Sequence, residues 1–159
     1  MDFISFLSNE SPDHLGRKLD DIWAMSYHQI EYTHDFIQLM FPTNKPSGIT
    51  NREFYINNET LANTLRQNQT VCTNIKKSAR WYLRFLSACD HWICKFNHNH
   101  LRITRVIECL HLLVSPIEAQ TFYQNVLLLN QKPLCINSQS LKFWYKAANP
   151  EASNLCMTQ

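Results

Sequence analysis

The stretch from 70 to 93, TVCTNIKKSARWYLRFLSACDHWI, decides the fold class. Val71, Ile75, Ala79, Tyr82, Leu86, Cys89 and Ile93 recur at steps of three and four residues, the spacing that lines apolar side chains along one face of an α-helix. The run predicts a helix of about six turns. An amphipathic helix must bury its stripe against other elements, so the flanking sequence has to supply them.

It does so in both directions. Past a loop at Asn97-His98-Asn99, a helix is expected from about His100 to Val114, burying Ile103, Val106, Ile107, Leu110 and Leu113. Ser115-Pro116-Ile117-Glu118 then reads as a capping box with Pro at the first helical position. The helix it opens buries Ala119, Phe122, Tyr123, Val126 and Leu127 and stops before Pro133. A last helix is expected over about 137 to 148, with Leu141, Trp144 and Tyr145 inside, ended by Asn149-Pro150. Upstream, Asn58 can cap a helix holding Leu61 and Leu65. The segment 42–57, with two prolines and Gly48, reads as the longest loop, and Pro42 stops a short helix over His34 to Phe41. Ser11-Pro12 reads as the start of a first helix carrying Leu15, Leu19, Ile22 and Trp23 to about Met25–Tyr27. No internal repeat and no period-two pattern is present, and Phe54 to Ile56 is too short to build a sheet. The expectation is an all-α fold: a single compact domain of about six or seven helices over 1–148, with a flexible tail at 149–159.

Composition agrees. With 45% hydrophobic residues in 159, the chain can bury a core and is not intrinsically disordered. Two glycines argue against a turn-rich sandwich or barrel and against a Gly-rich phosphate loop. The net charge of +2 conceals an asymmetry: residues 1–60 carry nine acids and four bases, residues 61–159 four acids and eleven bases. The halves can attract each other, or one can face an anionic partner. Six cysteines without an export signal read as free thiols in a reducing compartment, and the sequons at Asn9, Asn58 and Asn68 as chance matches. No apolar run approaches the length of a membrane span. The expected location is cytoplasmic, or a host cell reached without a cleaved signal, with peripheral membrane association left open.

Four patterns carry chemistry. Glu31/His34 and Glu108/His111 are E-x-x-H steps of the kind used in di-metal helical bundles, against the plainer reading of a histidine beside a surface glutamate. Cys89, His91, Cys94, His98 and His100 crowd into twelve residues. A zinc site from Cys89, Cys94, His98 and His100 requires the helix to break between the cysteines, which otherwise diverge by about 140°; buried thiols and a His-rich loop are the alternative. A thiol enzyme would draw on the same cluster, with no local signature to pick its nucleophile. Lys76, Lys77, Arg80 and Arg84 lie along one side of the long helix. Merged with Arg102 and Arg105 near Trp81, they would form a basic face for nucleic acid or an acidic partner; otherwise the face is solvated and paired with Asp20, Asp21 and Asp35.

Two further stretches belong together. His34-Asp35-Phe36-Ile37-Gln38-Leu39-Met40-Phe41-Pro42, preceded by Ile30-Glu31, resembles the LE-x-x-HDYIQWLFP signature of the opioid growth factor receptor conserved region. His98-Asn99-His100-Leu101-Arg102-Ile103-Thr104-Arg105 is similar to that family's HN-x-LRITR signature. Order and separation agree, and the resemblance covers about residues 20 to 148; Leu39-Met40 stands where the family has Trp-Leu. It implies an all-helical domain, peptide-receptor activity of the enkephalin type, a membrane or perinuclear association, and no catalytic residue or cofactor. The family also has short bacterial members, which makes delivery into a host cell as a bacterial effector one further expectation.

Physically, the signatures read as a clasp. Glu31, His34 and Gln38 form a polar stripe, and Arg102 and Arg105 can meet Glu31 or Asp35 across a helix pair, either as a buried structural lock or as the wall of a pocket. The expected function is a non-enzymatic module binding a peptide or protein through Glu31, His34, Gln38, Arg102 and Arg105, flanked by Arg80 and Arg84.

Overall fold

The computed structural model describes residues 1–48, 51–130 and 135–151. Among them are nine helices and no strand: α1 (Phe3–Leu7), α2 (Leu19–Trp23), α3 (Tyr27–Tyr32), α4 (Ile37–Met40), α5 (Glu59–Gln67), α6 (Gln69–Ala88), α7 (Asn99–Leu113), α8 (Pro116–Leu129) and α9 (Ser138–Ala148). The all-α expectation holds, with a count slightly above six or seven. None of these helices is long and apolar enough to cross a membrane.

The second half follows the sequence reading closely. Asn58, Asn68, Ser115 and Asn137 each accept a hydrogen bond from the backbone N–H three residues on, and so cap α5, α6, α8 and α9. Asn68 ends α5 as well as opening α6. Helix α7 sits at the centre, packed on α5, α6, α8 and α9, and α8 packs on α6 and α9. Ile103, Val106, Ile107, Leu110 and Leu113 of α7 join Val71, Ile75, Tyr82 and Leu86 of α6 in one continuous core.

The first forty residues depart from the reading. No helix starts at Pro12. The Asp13 carboxylate instead accepts from Leu15 N–H, Arg17 N–H and the Arg17 side chain, closing a loop in which Gly16 takes φ +82°. A short acidic side chain competing for local backbone donors is what keeps a helix from starting. Arg17 then reaches Asp35 at 2.8 Å and pins this loop to the segment ahead of α4. The hydrogen bonds outweigh the burial that would raise the Asp13 carboxyl, and hold its pKa below the ordinary value. Helix α1 is capped by Asp2 and buries Phe3, Phe6 and Leu7; α3 carries a Ser26/Gln29 capping box. Helix α4 is shorter than His34 to Phe41: the Thr33 carbonyl is taken by Arg102 and the Asp35 carbonyl by Asn51, so neither serves a helical turn.

Helix α6 ends at Ala88 rather than Ile93. The Trp92 indole N–H donates to Leu86 O at 2.9 Å, in the place of the next helical amide, and buries its ring against Trp144. The reading that α8 stops before Pro133 falls on residues outside those described, as does most of the tail; α8 itself ends at Leu129.

Candidate functional site

The two signature stretches fold side by side. Arg102, on the first turns of α7, is 5% exposed. Its Nη1 donates to Ile30 O at 2.9 Å and Asn99 Oδ1 at 3.3 Å; its Nη2 donates to Thr33 O at 2.8 Å and to His34 Nδ1 at 3.1 Å. Arginine can only donate, so His34 Nδ1 is the acceptor. The guanidinium sits on the carbonyl end of α3, where a helix favours positive charge, and 5.5 Å from the Phe36 ring centroid.

The carboxylate of Glu31 does not touch it. Asn99, fully buried, stands between. Its Oδ1 accepts from Arg102 and from Tyr82 Oη at 2.7 Å, while its Nδ2 donates to Glu31 Oε2 at 2.9 Å. His91 Nε2 meets the same carboxylate at 2.9 Å, His98 Nε2 approaches it at 3.5 Å, and the His98 ring lies edge-on to His34 with centroids 5.0 Å apart. Burial alone would raise the Glu31 carboxyl; Asn99, His91 and the charge at His98 overcome it and hold the pKa below the usual range. Burial, with Arg102 beside it, lowers His98, and burial lowers His100.

Arg105 lies one turn along α7 and opens onto a pocket. This pocket, about 400 Å3, is walled by α4 (Ile37, Gln38), by the 43–48 segment and by α7 (His98, Leu101, Arg102, Thr104, Arg105, Glu108). Arg105 donates to Phe41 O at 3.2 Å, and among the described residues no carboxylate lies within ion-pair distance of it. Burial lowers its pKa, countered by Cys109 and Glu108; the group stays charged at neutral pH. Lys45 reaches Glu108 across the pocket's edge at 3.4 Å, an exposed pair worth little. Gln38 is 8% exposed, and its Oε1 has no hydrogen-bond partner among the described residues.

Glu31, His34, Gln38, Arg102 and Arg105 are thus assembled; Arg80 and Arg84 are not with them. Arg80 borders a separate narrow cleft with Glu118, Thr121 and Asn125 of α8, and Arg84 is exposed one turn further along α6. The single basic face does not form. Lys76 pairs with Glu118 at 3.9 Å, and Lys77 lies 3.9 Å from Asp20 and 3.4 Å over the Trp23 ring. Asp35, one expected partner for the arginines, is held by Arg17.

The Cys/His cluster also separates. The helix does break after Ala88, yet His100 turns inward, its Nε2 on Trp92 O at 2.9 Å and its Nδ1 on Ser140 Oγ at 3.2 Å, while Cys94 Sγ points to Phe96 O. Among the described residues no three His, Cys, Asp or Glu side chains form a group able to hold a metal ion. Glu108 of the second E-x-x-H step faces Lys45. Burial raises the thiols of Cys72, Cys89 and Cys109, the reverse of what a thiolate nucleophile needs. The residues that the sequence reading missed are Asn99, Tyr82 and His91, which complete the clasp. Comparison with family models, curated proteins and solved structures found no match to this chain.

The clasp predicts a pH dependence. His98 and His100 have folded pKa values below the ordinary 6.5, and Glu31 below 4.5. In each case the unfolded chain binds more protons, so stability is complete above the unfolded value and is lost as pH falls through the folded one. Thermal melts should therefore show a midpoint that falls between about pH 7 and pH 5, and further below about pH 4.5. A midpoint that rises on acidification across the first interval would contradict the lowered pKa values of His98 and His100.

Proposed function

We propose that the chain is a non-enzymatic binding module whose pocket, framed by α4, the 43–48 segment and α7, takes an acidic segment of a peptide or protein partner. The observation that carries this reading is Arg105: a half-buried guanidinium with one backbone acceptor and, among the described residues, no carboxylate within ion-pair distance, opening into a cavity built from both signature stretches. Lys45 adds a second cation that a weak surface pair barely holds. The resemblance to the opioid growth factor receptor conserved region supports the same class of activity, a receptor-like peptide binder, and names no catalytic group. In this reading Arg102 is the positioning residue that joins the signatures, and Arg105 is the contact.

Titrating the protein with a capped, fluorescein-labelled hexaglutamate and following anisotropy tests it. Arg105→Gln should weaken binding at least about tenfold, equivalent to about 1.4 kcal/mol, with an unchanged thermal midpoint. Arg80→Ala combined with Arg84→Ala should leave it in place. Equal loss from both variants, with a steep salt slope, would favour a diffuse basic surface of the nucleic-acid-binding kind over the pocket.

A further inference from the structure

The pocket is one part of a longer groove. His98 and Leu101 also line a second depression with Phe96, Asn137, Gln139, Ser140 and Phe143. Thr43, Lys45, Thr104 and Glu108 also line a third, which continues past His111 and Leu112 to Lys146 of α9. The shared residues make the three continuous. Along α7 and its N-cap the lining residues fall at 98, 101, 104/105, 108 and 111/112, one face of the helix. At 1.5 Å per residue the groove runs about 20 Å along that face, the span of about six residues of extended chain.

Its two ends differ in chemistry. Phe96 and Leu101, 75% and 61% exposed, make an apolar shelf at the start of α7, and Phe143, 44% exposed, lines both this shelf and the third depression. Arg105, Lys45 and Lys146, with Glu108 as the single acid in the lining, make the middle and far part cationic. Leu101 and Arg105 are four residues apart, about 6 Å along the axis. That matches the repeat of about 6.6 Å at which alternate side chains of an extended peptide face the same way. Gln38 stands in the wall opposite, its Oε1 buried and without a hydrogen-bond partner among the described residues.

We infer that the groove reads an extended segment in which an apolar side chain and an acidic one are separated by one residue, the apolar group on the Phe96–Leu101–Phe143 shelf and the carboxylate on Arg105 and Lys45. This rests on the binding reading above and sharpens it to a recognised pattern.

Anisotropy with four capped, fluorescein-labelled hexapeptides decides it: Ser-Phe-Thr-Glu-Ser-Ser, the same peptide with Phe replaced by Ser, one with Phe and Glu adjacent, and hexaglutamate. The first should bind at least tenfold more tightly than the second and third. Phe96→Ser, at an exposed position that lines the shelf but not the Arg105 pocket, should abolish that preference while leaving hexaglutamate binding intact. Arg105→Gln should abolish both. Equal affinity for the three phenylalanine and serine peptides, or a preference that survives Phe96→Ser, would overturn the groove pattern and leave the acidic pocket standing. Failure of every acidic peptide, hexaglutamate included, on a folded protein would overturn the binding reading itself.

Discussion

Arg102→Met should lower the unfolding free energy by about 3–5 kcal/mol, and Arg102→Lys should recover little of it. The guanidinium donates to two backbone carbonyls, Ile30 O and Thr33 O, and to Asn99 and His34. Methionine matches the apolar stem and supplies none of these donors. The carbonyls belong to the end of α3 and cannot be deleted with the cation, so they stay buried and unpaired, at about 1–3 kcal/mol each. Lysine keeps the charge but has no planar fork to span acceptors on two sides. Against a total stability of about 5–15 kcal/mol, this is a large fraction. Urea unfolding followed by tryptophan fluorescence reads it, because Trp81 packs on Phe36 and the buried Trp92 ring packs on Trp144. A loss under about 1 kcal/mol with an unchanged slope would mean that the α3 end finds other donors, and that the clasp is not what joins the two halves.

How much of this the sequence carried depended on whether the deciding interaction was local. From α5 onward it was. The Asn58 and Ser115 caps and the apolar steps of α6 and α7 are short-range signals, and they place the starts of α5, α6, α7 and α8 within a residue or two. In the first forty residues the deciding interactions are long-range. Arg17 to Asp35, Trp81 Nε1 to Trp23 O and Arg102 to Thr33 O accompany the shortening of the two helices that local pattern reads there to α2 and α4. Ser26-x-x-Gln29 was a legible capping box; it opens one of the two helices that the reading left out. The early end of α6 was legible only in part, since the Trp92 indole supplies an amide's bond from outside the helical ladder.

The site divides in the same way. That the stretches near 31–42 and 98–105 lie together is what the sequence reading required, and they do. Its chemistry was read one step too directly. Opposite charges in two motifs suggested guanidinium against carboxylate; the structure places Asn99 between them, an uncharged relay that satisfies both. Burying an ion pair carries a desolvation cost that a neutral amide and backbone carbonyls spread over several hydrogen bonds. Nothing in the pattern of a single sequence distinguishes such a relay from any other loop asparagine. Arg80 and Arg84 stand apart from the clasp for a geometric reason: Arg80 borders α8 and Arg84 is exposed on α6, whereas Arg102 and Arg105 face α3 and the end of α4.

Trp144→Ala should cost about 3–5 kcal/mol and should also disable the groove. The indole is fully buried, edge-on to His100 at 5.6 Å and tilted against Trp92 at 6.3 Å, and its Nε1 donates to His100 O at 2.9 Å. It is the anchor that holds α9 to α7. The Ser140 Oγ contact to His100 Nδ1 and the Asn137 bond to Lys95 O are the smaller ties on the same side. Removing the ring leaves a cavity that two neighbouring aromatic rings cannot readily fill, so the loss falls at the upper part of that range. Trp144→Phe keeps most of the packing and loses one hydrogen bond, about 0.5–1.5 kcal/mol, with α9 still in place. The two variants therefore separate stability from groove shape. Amide exchange should show α9 unprotected in the alanine variant and protected in the phenylalanine one. Preference for the peptide with an apolar side chain should disappear only in the first, because Phe143 rides on α9. Retained α9 protection and retained peptide preference in Trp144→Ala would mean that the helix is held by contacts other than this indole, and that the apolar shelf does not depend on it.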